Sequence, residues 1–218
     1  MLFELEYHVY LNALYETVYM TLISTIFVFI FGLIFGALLF TTAKGGLFEN
    51  SVLHKTLSAL TSILRSIPFL ILIVLLIPFT RILIGTILGP SAALPALVIG
   101  ATPFYARLVE IALHETATDL QETGLSFGAT KRQVLIKILI PESLPALVRG
   151  ITVTSIAITG YTSIAGAIGA GGLGNLAYLY GYARNRVYVT LTATFLIAIL
   201  ILCIQITGDY IVNKTTKK

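Results

Sequence analysis

Long uncharged stretches, separated by short groups of charged residues, dominate the pattern of hydrophobic and polar positions along this chain. A helix that crosses a bilayer needs about 20 apolar residues, because each adds about 1.5 Å and the hydrocarbon core is about 30 Å thick. The uncharged stretches predict five such spans, near residues 17–40, 57–79, 91–112, 146–167 and 187–209. The pattern therefore predicts an all-α integral membrane protein with a single domain over residues 1–218.

Composition and charge support this interpretation and set an orientation. Of the residues, 57% are hydrophobic and 11% are charged, whereas a soluble domain carries about 25% charged residues. The net charge of +4 comes from basic residues scattered between apolar stretches, which favours loop charges over nucleic-acid binding. Lysines concentrate after the first, third and fifth spans, so the positive-inside rule predicts an external N-terminus and a cytoplasmic C-terminus.

The segment 113–145 joins the third and fourth spans and contains clear helix signals. Thr118 and Asp119 each have a Gln or Glu three residues later, which is typical of a capping box that starts a short helix. Gly128 can supply the left-handed conformation that ends this helix. We therefore expect a short helix followed by a tight turn.

A second helix is predicted in the same segment. Thr130 with Gln133 forms a capping box at its start, Pro141 ends it, and Pro145 opens the fourth span. The apolar face of this helix comprises Val134, Leu135, Ile138 and Leu139. Such a compact projection between two spans is well shaped to dock into a partner, although it also fits an ordinary folded loop.

Small and hydroxyl-bearing residues mark two of the spans. Gly32 and Gly36 form a GxxxG pattern, which predicts a close helix contact. The fourth span carries the hydroxyl residues Thr152, Thr154, Ser155, Thr159, Thr162 and Ser163. These side chains either bond back to their own helix or give a polar lining to a solute path.

Gly169, Gly171 and Gly174 spell G-x-G-x-x-G, the dinucleotide-binding fingerprint. That fingerprint must follow a strand. It also needs an acidic residue roughly 20 positions later, which binds the ribose. Here the preceding stretch is apolar and rich in small residues, and the next acidic residue is Asp209. We therefore assign these glycines to a tight turn after the fourth span and to close backbone contacts.

Catalytic and metal-binding patterns are missing from the sequence. The three histidines show no metal-ligand spacing, and the predicted spans hold no histidine, which argues against a metal site or an intramembrane enzyme. Glu110 and Asp209 lie at the edges of spans, which disfavours an ion-coupled transporter. The sequence also lacks Gly-x-x-x-x-Gly-Lys followed by Ser or Thr, so the chain cannot bind ATP through a P-loop.

The segment 113–145 resembles the signature of ABC-importer permeases: Glu-Ala-Ala, three residues, Gly, nine residues, then Ile-x-Leu-Pro. The matching positions are Glu122-Thr123-Gly124, Gly128 and Ile138-Leu139-Ile140-Pro141. Thr123, Gly124 and Ile140 depart from the pattern, and the spacing is intact. The further motifs "RSIPF" (65–69), "IPFTR" (77–81), "PFYARLVEIAL" (103–113), "GAGGLG" (169–174), "YGY" (180–182) and "GDYIV" (208–212) resemble the methionine-importer permeases.

This resemblance, which extends from about residue 17 to residue 212, implies a type I permease fold with five spans per subunit in the cytoplasmic membrane. It implies a homodimer around one pore, two cytoplasmic ATPase subunits that bind ATP and Mg, and an external substrate-binding lipoprotein. The chain itself then holds no cofactor and catalyses no reaction, and methionine is the implied solute.

The resemblance also implies roles for particular residues. Coupling to the ATPase is expected of Asp119, Glu122, Thr123, Gly124, Gly128, Ala129, Ile138 and Pro141. The glycine turn of Gly169, Gly171, Gly172 and Gly174 is expected to face the binding protein and the outer mouth of the pore. Near the end of the fourth span, Tyr161, Ser163 and Ile164 are candidates for the gate, with Ile164 as an apolar plug; plain helix packing is the alternative.

Overall fold

A computed structural model describes residues 6–216, except for the side chains of Thr118 and Asp119. The α-helices are α1 (Tyr7–Thr42), α2 (Ser51–Ser66), α3 (Phe69–Leu75), α4 (Ile77–Ile84), α5 (Pro90–Ser126), α6 (Lys131–Gln133), α7 (Ile140–Glu142), α8 (Leu144–Ala165), α9 (Gly172–Asn175) and α10 (Val187–Thr216). Among the described residues, wider π-helical turns occur at π1 (Val134–Leu139) and π3 (Leu176–Tyr182). The segment π2 (Gly166–Ala170) contains a kink, with non-helical dihedral angles at Ile168 and Gly169. The all-α fold class is therefore confirmed.

Within the described residues 6–216, four helical segments are long and apolar enough to cross a membrane. They are Tyr7–Thr42, Pro90–Ala117, Leu144–Ala170 and Val187–Thr216. They contain the first, third, fourth and fifth predicted spans, within a few residues at most boundaries. In the same part of the chain, a fifth crossing is possible if two shorter helices, α2 and α3, are counted together.

The second predicted span, 57–79, is wrong as a single helix. The axes of α2 and α3 differ by 104°, and the break lies at Pro68, whose ψ of 137° is extended rather than helical. A proline ring disfavours the helical conformation in the residue before it, here Ile67, so the apolar run changes direction there. The carbonyl of Pro68 accepts hydrogen bonds from the N–H groups of Ile71 and Leu72, and these bonds start the next helix.

The chain divides into two compact units. The first comprises the described residues of Met1–Phe27 together with Ile67–Ala101 and Val153–Ile206. One hydrophobic cluster in this unit contains Tyr10, Ala13, Leu173, Leu176, Val189 and Ala193. The second unit comprises Val28–Ser66, Thr102–Thr152 and the described residues of Thr207–Lys218.

Close contact between α1 and α5 stabilises the second unit. A methyl group added at Gly36 would lie 2.5 Å from the carbonyl oxygen of Ala106, and one at Gly32 would lie 2.5 Å from Cδ1 of Tyr105. Real side-chain contacts are never this short, so both positions require glycine. The close helix contact predicted from the GxxxG pattern is confirmed.

Several α8 hydroxyl groups donate hydrogen bonds to backbone carbonyl groups of their own helix. Thr152 donates to the carbonyl of Val148 at 2.8 Å, and Thr159 to that of Ser155 at 3.0 Å. Thr162 likewise donates to Thr159 at 2.8 Å. Of the two interpretations of these hydroxyl groups, back-bonding therefore accounts for Thr152, Thr159 and Thr162, because each already has an intrahelical acceptor.

Candidate docking loop and glycine segment

Helix α5 passes through the predicted start of the short helix without a break and ends at Ser126. The capping-box start at Thr118 or Asp119 is therefore wrong. Buried positions recur along this helix at Val109, Leu113 and Ala117, and a helix that is already formed extends more easily than a new one starts. The side chain of Asp119, a predicted coupling residue, lies outside the described part of the chain.

Gly128 ends α5 in the predicted left-handed conformation, with φ of +84°. Its N–H donates to the carbonyl of Leu125 at 3.0 Å, and the N–H of Ala129 donates to that of Gly124 at 3.1 Å. These two bonds are the pair that defines a Schellman motif, which satisfies the last carbonyl groups of a helix. The turn is thus defined by backbone hydrogen bonds and by one glycine.

The capping box at Thr130 is also confirmed. The Thr130 N–H donates to Gln133 Oε1 at 2.8 Å, and the Gln133 N–H donates to Thr130 Oγ1 at 3.3 Å. Next to it, the Lys131 ammonium lies 5.8 Å from the ring centroid of Phe48, within cation–π range. The start of the second helix is therefore fixed from two sides.

The predicted apolar face of the second helix is present, but the helix has a different geometry. Val134 and Leu139 are buried, as expected. The turn that contains them is π-helical, and Pro141 lies within the next helical turn, α7, instead of ending the helix. A wider turn gives the proline ring room beside the preceding carbonyl groups, so the chain stays helical.

Gly124 allows α5 to pack against π1. A methyl group at Gly124 would lie 2.9 Å from Cδ1 of Ile138 and 3.0 Å from Cγ2 of Val134. The space that an alanine would fill is therefore occupied by these two side chains. This contact explains the departure from the Glu-Ala-Ala pattern at position 124 and gives Ile138 a packing role inside the loop.

A chain of hydroxyl groups that no local sequence pattern indicates joins α5 to Ser143, the residue before α8. Ser143 Oγ donates to Thr116 Oγ1 at 2.8 Å, and Thr116 Oγ1 donates to the carbonyl of Ala112 at 2.9 Å. Both residues are hydrogen-bonded inside the second unit. We call residues 113–145 the docking loop; its C-terminal end is therefore tied to α5 through Ser143.

The docking loop exposes a mixed surface at the end of α5. Glu122 and Thr123 are exposed, and Phe127 is 88% exposed. A phenylalanine ring left almost wholly exposed at a fixed turn is typical of a surface that another protein covers. A carboxylate and a hydroxyl group near that ring would add polar recognition.

In the first unit, the glycine segment, residues 166–175, turns sharply after α8. Gly169, Gly171 and Gly172 have φ of 108°, 82° and 77°, a region that side-chain-bearing residues rarely adopt. The carbonyl of Gly169 accepts from the N–H of Gly89 at 2.9 Å. The tight glycine turn predicted after the fourth span is confirmed.

Two further glycines of this segment permit backbone-to-backbone contact. A methyl group at Gly166 would lie 2.6 Å from the backbone nitrogen of Asn175, and one at Gly174 would overlap the backbone of Ser163. Because backbone atoms cannot swing aside as side chains do, neither site tolerates a larger residue. Ser163, a predicted gate residue, is thus covered by Gly174.

Two side chains of α1 cap the short helix α9. Glu16 Oε2 accepts from the N–H of Gly172 at 2.6 Å, and Thr17 Oγ1 accepts from the N–H of Leu173 at 2.8 Å. A carboxylate near free N–H groups at a helix start is electrostatically favourable. These contacts join residues that are 156 positions apart, so no local sequence pattern indicates them.

The three predicted gate residues lie in different surroundings. The Tyr161 ring stacks on Phe69, with centroids 4.6 Å apart, and Ser163 Oγ donates to the carbonyl of Thr159 at 3.3 Å. Ile164 is exposed, and it belongs to a row on α8 and π2 at helical spacing. This exposed row comprises Val153, Gly160, Ile164 and Ile168. Of the three, Ile164 alone is exposed, whereas Tyr161 and Ser163 have partners within the unit.

Comparison with known proteins places this arrangement in a family. The model of the "binding-protein-dependent transport system inner membrane component" family matches residues 29–217. The methionine import system permease protein MetP of Bacillus subtilis is 60% identical over 95% of this chain and 93% of its own length. A probable D-methionine transport system permease protein MetI of Pasteurella multocida is 45% identical over 81% of this chain and 82% of its own length.

Solved structures agree with the sequence comparison. A chain from inward-facing conformations of the MetNI methionine ABC transporter superposes with a TM-score of 0.94 at 44% identity. The superposition covers 96% of this chain and 97% of that one. An amino acid ABC transporter crystallised with histidines shares the fold, with a TM-score of 0.66 at 19% identity and coverage of 94% and 92%.

Proposed function

We propose that this chain, which belongs to the family of inner membrane components of binding-protein-dependent transport systems, forms half of the pathway by which an ATP-driven importer moves methionine across the cytoplasmic membrane. It is a permease subunit of the type I ABC-importer fold. The methionine assignment draws on the MetP and MetI relatives, at 60% and 45% identity.

The docking loop carries the proposal that a separate ATPase drives transport. Its Schellman turn at Gly128, its capping box at Thr130 and the packing of Gly124 make it a firm projection. The exposed residues Glu122, Thr123 and Phe127 supply the contact surface. Two cytoplasmic ATPase subunits, which bind ATP and Mg, dock there and transmit their motion to α5 and α8.

The exposed row on α8 and π2 supports a homodimer around one pore. Val153, Gly160, Ile164 and Ile168 lie uncovered within the chain, and the glycine among them contacts nothing within 4 Å of its added methyl position. A second copy of the chain that presents the same row encloses a pathway between them. Ile164 is the apolar plug of this pathway, and Tyr161 and Ser163 position it.

Orientation follows from the distribution of lysine. The N-terminus and the glycine segment lie outside, where a substrate-binding lipoprotein delivers methionine, and the C-terminus lies in the cytoplasm. A cytoplasmic reporter fused after residue 218 is expected to be active, and an externally active reporter at that position is expected to be silent. The reverse pattern would overturn the orientation.

Uptake in cells tests the function and the solute together. A methionine-requiring bacterial strain without methionine importers would express this chain with its partner ATPase and binding lipoprotein. We expect uptake of labelled methionine well above that of a panel of other labelled amino acids. A strain with an ATPase that cannot hydrolyse ATP is the control and should show no uptake. Preference for a different amino acid would overturn the methionine assignment.

A further inference from the structure

An open cavity of about 670 Å³ lies between the start of α1 and the α9–π3 segment of the first unit. Its walls include the carboxylate-bearing Glu16, the amide-bearing Asn175 and the rings of Tyr15 and Tyr180. Leu11 and Leu176 add aliphatic side chains, and the remaining lining residues are His8, Val9, Asn12, Ala13 and Gly172. The imidazole of His8 is paired with Glu6, at 3.1 Å. None of the functions proposed above uses this cavity.

Two residues that line the cavity carry oxygen acceptors with no cationic partner among the described residues. Glu16 accepts one backbone hydrogen bond from Gly172 but forms an ion pair with none of the described residues. Asn175 Oδ1 is buried, and no described group donates to it. A buried acceptor without a partner is costly, and a carboxylate without a counter-ion attracts a cation. The cavity therefore suits a cationic hydrogen-bond donor.

The rest of the lining suits an ammonium group on an aliphatic stem. Tyrosine rings attract cations over their faces, and leucine side chains pack against methylene groups. The Arg184 guanidinium lies over the Tyr180 ring at 4.5 Å and is not part of the cavity wall. An open cavity of this size also exceeds what one amino acid fills, so it admits a side chain that projects from another protein.

We propose that this cavity receives a lysine side chain of the external binding protein, whose ammonium group binds the Glu16 carboxylate beside Asn175. The proposal rests on the function proposed above, which places α9 outside the membrane and gives the importer an external binding subunit. Contact at this point links the docked protein to the glycine segment, because Glu16 also caps Gly172. Docking thereby acts on the turn that follows α8.

Affinity measurements on the complete importer test the proposal. The chain and its ATPase would be placed in lipid nanodiscs, and binding of the methionine-free binding protein would be titrated at several salt concentrations. Glu16→Gln keeps an oxygen for the Gly172 N–H and removes the charge, so the Kd should rise about tenfold and depend less on salt. Asn175→Asp adds a carboxylate, so the Kd should fall several-fold and depend more on salt.

Glu49→Gln is the matched control, because Glu49 also accepts from a glycine N–H, that of Gly45 at 3.0 Å. It should leave the Kd unchanged. A purely structural role for Glu16 and Asn175 predicts no gain in affinity for Asn175→Asp and no change in salt dependence. Wild-type affinity and salt dependence in Glu16→Gln would overturn the proposal.

Zero-length cross-linking gives a second test that needs no variant. A carbodiimide joins a carboxylate to an amine only where the two touch, so mass spectrometry should find Glu16 joined to a lysine of the binding protein. A link to a lysine of this chain, or protection of Glu16 by free methionine alone, would overturn the proposal. Methionine uptake by the same wild-type preparation separates the proposed function from the proposed lysine contact. Absent uptake refutes the proposed function. Normal uptake with neither the affinity changes nor the cross-link refutes only the lysine contact.

Discussion

Phe69 and Tyr161 stack face to face in the first unit, with ring centroids 4.6 Å apart and planes 11° from parallel. Phe69 is the first residue of α3, immediately after the break at Pro68, and Tyr161 lies in α8. The stack therefore fixes the position at which the chain resumes after its 104° bend. Tyr161 therefore holds the start of α3 against α8, within the first unit.

Replacement of Tyr161 tests this positioning role. Tyr161→Ala removes a stacked pair worth about 0.5–1.5 kcal/mol beyond its buried area, so the melting temperature in detergent and methionine uptake should both fall. Tyr161→Phe keeps the ring and should retain both. If Tyr161→Phe also abolishes uptake while stability is unchanged, the hydroxyl group acts directly in transport and the packing account is wrong.

Gly36→Ala tests the close contact of α1 with α5. The added methyl group would lie 2.5 Å from the Ala106 carbonyl oxygen, and a backbone atom cannot move without shifting a helix. We expect destabilisation of about 1–3 kcal/mol, as for other overpacked sites, seen as a lower melting temperature. Ile34→Ala, on the exposed face of the same helix, is the control and should change stability little.

Gly128→Val tests the docking loop as the coupling element. At φ of +84° the added side chain meets nothing within 4 Å, so the effect is backbone strain of more than about 1 kcal/mol. The loop would relax and displace Glu122. The variant should insert and dimerise at normal levels yet fail in uptake. Gly128→Asn, which tolerates the left-handed region, should retain much of the activity. Wild-type uptake by Gly128→Val would show that this turn does not couple the subunits.

Gly160→Val tests whether the exposed row on α8 lines the pathway. Nothing in the chain lies within 4 Å of the added methyl position, so the melting temperature of the isolated chain should not fall. Uptake should fall at least tenfold, because the larger side chains from two copies would narrow the pathway. Ala198→Val adds a comparable bulk to the exposed face of α10 and should leave uptake intact. Normal uptake in Gly160→Val would place this row away from the pathway.

Local signals in the sequence correctly predicted the turn at Gly128, the capping box at Thr130 and the close contact at Gly32 and Gly36. Gly128 and Thr130 act on neighbours within a few residues, whereas the GxxxG pair acts because it has no side chain. Both kinds of signal are visible in the sequence. The break at Pro68 was missed because the length of an apolar stretch indicates only whether it can cross a membrane. It does not indicate whether the helix axis changes direction within the stretch. The residue before a proline prefers an extended conformation, so Ile67 was the position in the sequence that could have indicated the break.

Long-range contacts could not be predicted. Glu16 and Thr17 cap α9 across 156 residues, and a capping pattern is recognisable only when donor and acceptor are near in sequence. The π-helical turn at Val134–Leu139 was also missed, because its apolar positions fit an α-helical period equally well. The extension of α5 beyond Thr118 shows that tertiary packing overrides a local helix-start signal.

Accumulation of methionine by purified components tests the central claim most directly. Proteoliposomes would contain this chain and its ATPase, with the binding lipoprotein and labelled methionine outside and ATP inside. We predict that internal methionine rises above the external concentration only when all three proteins and ATP are present, and that this chain alone hydrolyses no ATP. ATP hydrolysis by the isolated chain, or equal accumulation without the ATPase subunit, would contradict the account.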